Sequence, residues 1–131
     1  MSSLGSSLRI ASSGMHAERF RMDVISGNIA NANSMKLKGG PDPYRRREVT
    51  LTAGPEGVRI TGVVEDKRDF KLVKDPGNPN ADENGYVTYS NVEPIYEMVN
   101  MMSASRAYEA NIAAFNSTKS MLRAALQIGK V

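Results

Sequence analysis

The stretch LGSSLRIASSGMHAERFRMDVISGNIANAN, from Leu4 to Asn33, decides the fold. Leu4, Leu8, Ala11, Met15, Glu18, Met22, Ile25, Ile29 and Ala32 follow one another at steps of four and three without a slip. All but Glu18 are apolar. This is a heptad seam on one long helix, about 45 Å if fully formed. Such a seam needs a partner to cover it. Glu18 costs stability inside it unless a basic group comes to meet it. The far end is odd, because Gly27, Asn28, Asn31 and Asn33 are poor helix formers while the seam continues through Ile29 and Ala32. A helix of that kind forms only where packing supports it. Residues 1–33 are therefore expected to be conditionally ordered in a lone chain.

The partner lies in the same chain. Ser90 followed by Glu93 reads as a capping box, and Pro94 falls in the first turn, where its missing N–H matters least. The helix opened there is expected to start at Ser90 or Asn91 and to stop near Gly129. Its seam reads Met98, Met101, Ser105, Tyr108, Ile112, Phe115, Lys119, Leu122 and Leu126, again at strict steps of three and four. Ser103, Ala107, Ala110 and Ala114 form a second stripe of small residues that would let another helix approach closely.

Between the helices the period drops to two. Residues 34–43 read as a linker punctuated by Gly39, Gly40, Pro41 and Pro43. Glu48–Thr52, Val58–Thr61, Phe70–Val73 and Tyr86–Tyr89 alternate apolar with polar residues and read as short half-buried strands. The expected fold is α+β. Two long terminal helices, 1–33 and 91–131, pair as an antiparallel coiled coil, with a small β unit of about four strands inserted at 44–90.

Composition excludes several functions. The absence of cysteine removes disulfides, thiolate metal sites and a cysteine nucleophile. The net charge of +3 is concentrated in 36–52, chiefly in Arg45, Arg46 and Arg47. That triplet reads as a solvated strand start rather than a nucleic-acid surface, since a recognition helix and interleaved aromatics are missing. Changing Arg46, on the β unit, to Ala is expected to have a milder effect on assembly than changing Ile29 or Phe115 to Asp. The oxygen-rich loop Asp75–Gly85 lacks EF-hand spacing and is explained by turn chemistry. His16 has no orienting partner in the pattern, and no catalytic or phosphate-binding motif occurs. The chain reads as a non-enzyme without cofactor or metal. No apolar run is long enough to span a bilayer, and the first residues lack the pattern of a cleavable secretory signal.

Two stretches carry a family likeness. SGMHAER at 13–19, continuing as DVISGNIANAN at 23–33, resembles the N-terminal motif of bacterial flagellar rod and hook axial proteins. SASRAYEAN at 103–111 with NSTKSM at 116–121 resembles their C-terminal motif. DPGNP at 75–79 leading to Gly85-Tyr86-Val87, together with the short length, narrows the likeness to the proximal-rod subunits of the basal body. Family members commonly carry Gln where Glu18 stands, and Thr where Ser34 follows the Asn-Ala-Asn run.

The resemblance implies a structural subunit of a helical tube that transmits motor torque. It also implies unfolded export through the flagellar type III apparatus without a cleavable signal, and a final place in the periplasmic rod. The implied partners are other rod subunits, further copies of itself and the neighbouring basal-body inner ring or export gate. Seams and motifs together nominate Leu8, Met15, Met22, Ile25, Asn28, Ile29, Asn31, Ala32, Met98, Met101, Arg106, Tyr108, Ile112, Phe115, Leu122 and Leu126 as assembly residues. The competing reading is a stand-alone coiled-coil adaptor that binds a soluble protein or nucleic acid through Arg45-Arg46-Arg47.

Overall fold

The structure is a computed structural model that describes residues 2–129. Two long helices bracket four strands: α1 (Ser2–Ala30), β1 (Arg47–Gly54), β2 (Gly57–Glu65), β3 (Lys71–Lys74), β4 (Tyr86–Tyr89) and α2 (Pro94–Gly129). The strands form two separate two-stranded sheets, β1-β2 and β3-β4. The α+β class expected from the periodicities is the one observed.

Helix α2 begins later than the capping box suggested. Pro94 is its first residue, and the Glu93 carbonyl accepts the N–H of Glu97. A proline at the first helical position loses no helical hydrogen bond. Ser90 is drawn elsewhere: it is buried, its N–H donates to the Ser34 carbonyl and its Oγ accepts the N–H of Val92.

The chain divides into two compact units. The first comprises α1 as far as Met22, the hairpin stretch Val49–Gly62 and α2 from Met102 onward. Here the helices run antiparallel. Leu8 and Ser12 share a shallow hollow with Phe115, while Gly14, further along α1, backs onto Asn111, which precedes Phe115 in α2. Its buried side chains are small: Ala11, Ala17, Ala104 and Thr118, with Gly14 buried beside them. The β1-β2 turn rests on α1 at Ser13, whose Oγ accepts the Val58 N–H at 3.0 Å. Gly57 is required there twice over. Its φ is +115°, and a Cβ on it would lie 2.1 Å from the Ser13 Oγ.

The second unit comprises Asp23–Glu48 and Val63–Met101. Strands β3 and β4 pair antiparallel, with Lys71 opposite Tyr89 and Lys74 opposite Tyr86. Residues 34–36 lie along β4: Met35 bridges Tyr89, and the Lys36 N–H donates to the Thr88 carbonyl. The stretch read as a linker is thus anchored at its start, and Pro43 near its end is buried. Strand β3 is exposed throughout rather than half-buried, so the packing rests on Val87 and Val92.

The helix seams differ from the sequence reading by one residue at alternate positions. On α2 the buried positions include Glu97, Ala104 and Thr118, where Met98, Ser105 and Lys119 were expected. Met98 and Leu126 are instead about half exposed, at 53% and 51%. On α1, Gly14 and Asn28 are buried while Met15 and Ile29 are half-buried. At Gly14, Ala104 and Thr118 the reason is steric, because closely spaced helices put small residues at the line of contact and push larger ones to its flanks. Asn28 and Glu97 are instead buried by polar contacts, with each other and, for Glu97, with Arg46. Glu18 finds its basic partner one turn on, pairing with Arg21 at 3.2 Å.

The Gly14–Asn111 contact is testable in a chain that has no cysteine of its own. A Cβ on Gly14 would sit 2.8 Å from the Asn111 Cγ, close enough for a disulfide to form between cysteines placed at the two positions. With the chain assembled with its neighbours, the double variant Gly14→Cys, Asn111→Cys is expected to form an intramolecular disulfide, seen as faster migration on a non-reducing gel. A control pair, Gly5→Cys with Asn111→Cys, lies about 13 Å further along α1 and should not cross-link. Failure of the first pair to close would reject this pairing of the helices.

Candidate functional site

The most tightly organised part of the molecule is a buried polar hub in the second unit. Its largest fully buried side chain is Glu97, in the first turn of α2. A buried carboxylate requires a partner, and Arg46, itself only 5% exposed, supplies one. The Arg46 Nε donates to Glu97 Oε1, while its Nη1 reaches Glu48 at 2.6 Å and Asp66 at 3.3 Å. Its guanidinium also lies over the Tyr96 ring, 5.5 Å from the centroid. Burial by itself would push this guanidinium pKa down. Hydrogen bonds to Glu48 and Glu97 outweigh burial and raise it, so the group is charged throughout.

Asn28 completes the hub from the last turns of α1. Its Nδ2 donates to the Arg47 carbonyl at 2.9 Å and to Glu97 Oε2 at 3.2 Å. Its Oδ1 accepts the Arg47 N–H at 3.0 Å and the Tyr44 hydroxyl at 2.7 Å. Both donors and both lone pairs of the amide are used, so no other side chain of this size substitutes for it. Burial pushes the Tyr44 phenol up, keeping it the neutral donor Asn28 needs. Asn91 plays a matching part: its Oδ1 accepts the Arg46 N–H, and its Nδ2 donates to the carbonyls of Asp66 and Arg68. Among the described residues, no buried side-chain nitrogen or oxygen lacks a partner.

This arrangement corrects the reading of the arginine triplet. Arg46 is enclosed in ion pairs. Arg45 donates to the carbonyls of Asp66 and Arg68 and stacks on Phe70 at 4.2 Å. Only Arg47 is exposed. A signal for this was present: in a chain extended on its way into β1, successive side chains point to opposite sides, which separates Arg46 from Arg45 and Arg47. Arg46 is thus not the solvated side chain the sequence suggested, and its loss bears on the stability of the fold. In the loop Asp75–Gly85, Asp82 Oδ1 accepts the N–H groups of Asn84 and Tyr86, and Asp75 accepts from Asn78 Nδ2.

The nominated assembly residues fall into three groups. Ile25 and Asn28 are buried. Leu8, Met15, Met22, Ile29, Met101, Tyr108, Ile112, Phe115 and Leu122 are half-buried along the two helices, and Ala32 is half-buried in the turn after α1. Asn31, Met98, Arg106 and Leu126 are exposed. Asn31 has a local role, returning its Nδ2 to the Gly27 carbonyl where α1 ends. Helix α2 presents a further row of uncovered apolar side chains: Ile95 is 79% exposed, Val99 58%, Met102 65%, Met121 55% and Ile128 76%. His16 is exposed beside the hollow that holds Phe115. No described helix is long and apolar enough to cross a membrane.

The chain has clear relatives among known proteins. Residues 8–34 match the family described as flagella basal body rod protein. Residues 83–128 match the C-terminal family of flagellar basal body rod FlgEFG proteins. The flagellar basal-body rod protein FlgC of Bacillus subtilis is 41% identical, over 95% of this chain and 97% of that protein. The FlgC proteins of Borreliella burgdorferi and Salmonella typhimurium are 42% and 45% identical, over 95% and 92% of this chain and 97% and 94% of theirs. The chain belongs to the FlgC family of flagellar basal-body rod proteins. It is a structural rod subunit of the flagellar basal body, and the adaptor reading is not favoured. The two matched segments of this FlgC-family chain contain Asn28 and Glu97, so the hub joins them directly.

Two outcomes follow from the hub. Arg46→Ala strands the buried Glu97 and should cost about 3–5 kcal/mol. Arg47→Ala, at an exposed side chain, should stay within about 0.5 kcal/mol. Denaturant unfolding of the full chain measures both. The second outcome concerns Asp66, whose carboxyl is lowered from 3.8 to about 2, chiefly by the hydrogen bond from the Arg68 side chain. A carboxyl depressed in the folded state stabilises it fully above the unfolded pKa. That contribution is lost as pH falls through the folded value. Stability should drop between about pH 4 and about 2, and Asp66→Asn should flatten that part of the profile.

Proposed function

We propose that the chain is a subunit of the proximal rod, built into a helical tube through its two terminal helices and carrying motor torque. The observation that best supports this is the uncovered apolar row on α2, which includes Ile95, Met98, Val99 and Met102, each more than half exposed. Helices that leave such rows to water are stabilised when neighbouring subunits cover them. A head-to-tail contact repeated around an axis that does not close produces a tube rather than a ring. On this reading the chain acts mechanically and not as an enzyme. Its neighbours are other rod subunits, further copies of itself and the inner ring or export gate beneath the rod. The reluctant end of α1 suits a chain exported unfolded through the type III apparatus to the periplasmic rod, its helices gaining order as burial offsets the entropy of ordering.

The nominated assembly residues make the test. Ile29→Asp and Phe115→Asp each place a charge on a half-buried helix position and are expected to abolish swimming in a strain carrying only the variant gene. Electron microscopy of its basal bodies should find no completed rod. Undiminished swimming in both variants would overturn the assembly role of these helix faces.

A further inference from the structure

The two compact units are stabilised by different means. In the first, the buried side chains are alanines and one threonine. Each removes little apolar area from water, while two long helical segments have to be ordered around them. The second buries Val87, Val92, Ile25, Asn28, Arg46 and Glu97, and the amide of Asn28 and the carboxylate of Glu97 find their partners within it. A hub that awaited a neighbour to complete it would leave donors or acceptors open. This one leaves no buried side-chain nitrogen or oxygen unpaired among the described residues. Gly27, Asn28 and Asn31 weaken α1 just where the hub grips it, so helix there is held by tertiary bonds rather than by propensity.

We propose that the second unit is already folded in the free subunit, and that the Asn28–Arg46–Glu97 clasp sets the boundary of order in both terminal helices. The inner segments, 23–30 and 94–101, are helical before assembly. The outer segments acquire lasting order only in the rod. The inference rests on the reading that the terminal helices gain order on assembly and deepens it by placing the boundary. Its consequence is a subunit that arrives with two short helical stubs held together, so that the outer segments extend from a fixed geometry rather than from coil. Local units of unequal stability within one chain are common, and the clasp gives this one a named cause.

Amide hydrogen exchange on the free full-length chain, read residue by residue, tests it. In the wild type, amides in 23–30 and 94–101 should be protected roughly 100-fold or more, whereas those in 4–20 and 104–126 should exchange close to the rate of an unstructured chain. Glu97→Ala should abolish protection in 23–30, on the other helix. If that variant fails to fold, Tyr44→Phe serves. It removes one hydrogen bond to Asn28 and should lower protection in 23–30 by roughly 3- to 10-fold, leaving β3 and β4 unchanged. Equal strong protection along the whole of both helices would overturn ordering on assembly and the boundary with it. Absence of protection at 23–30 and 94–101 in the wild type would overturn the clasp alone and leave ordering on assembly standing.

Discussion

Arg46 and Glu97 meet where water does not reach, and the rest of the second unit is arranged so that they can. Removing two charges from solvent is costly, and their attraction repays the cost only when the geometry is good and the remaining hydrogen-bonding positions are filled. Glu48 and Asp66 take the second arm of the guanidinium, and Asn28 takes the second carboxylate oxygen. Asp66 is in turn held by Arg68. Asn91 fixes the backbone on which Arg46 stands. The network draws on the end of α1, the start of β1, the loop after β2 and the first turn of α2, and so ties together segments far apart in sequence.

The first unit works on a different principle. Its helices approach through Ala11, Gly14, Ala17 and Ala104, residues too small to keep backbones apart. Close approach moves the larger apolar side chains to the flanks, which suits a rod subunit. A helix pair that hid all its apolar surface within one chain would have nothing to offer a neighbour. The uncovered methionines and branched residues of α2 are the counterpart of its small-residue contact line, and flexible methionine side chains adapt to more than one packing partner.

Much was legible in the sequence. Heptad spacing marked both long helices, and the change to a period of two marked the strands between them. The motifs at 13–33 and 103–121 pointed to the flagellar axial family to which the chain belongs. What escaped was the rotational setting of the seams. A step pattern of three and four is satisfied equally by Met98 or by Glu97, and by Ile29 or by Asn28, and apolarity favoured the wrong member of each pair. The role of Arg46 escaped for a related reason. Three adjacent arginines look alike until the chain entering β1 turns their side chains to different sides and a buried acid is brought opposite one of them.

The Leu4–Asn33 stretch, taken by itself, determined that a long helix exists and that it needs a partner, because periodicity is a property of local chain geometry. It also determined that the end of this helix is weak, because Gly and Asn lose the most in helical form. Only the tertiary structure decided what holds that end. A side chain with two donors and two lone pairs is a liability or an anchor depending on what surrounds it. The groups that surround Asn28, namely Tyr44, Arg47 and Glu97, are brought together by the fold and not by any local rule.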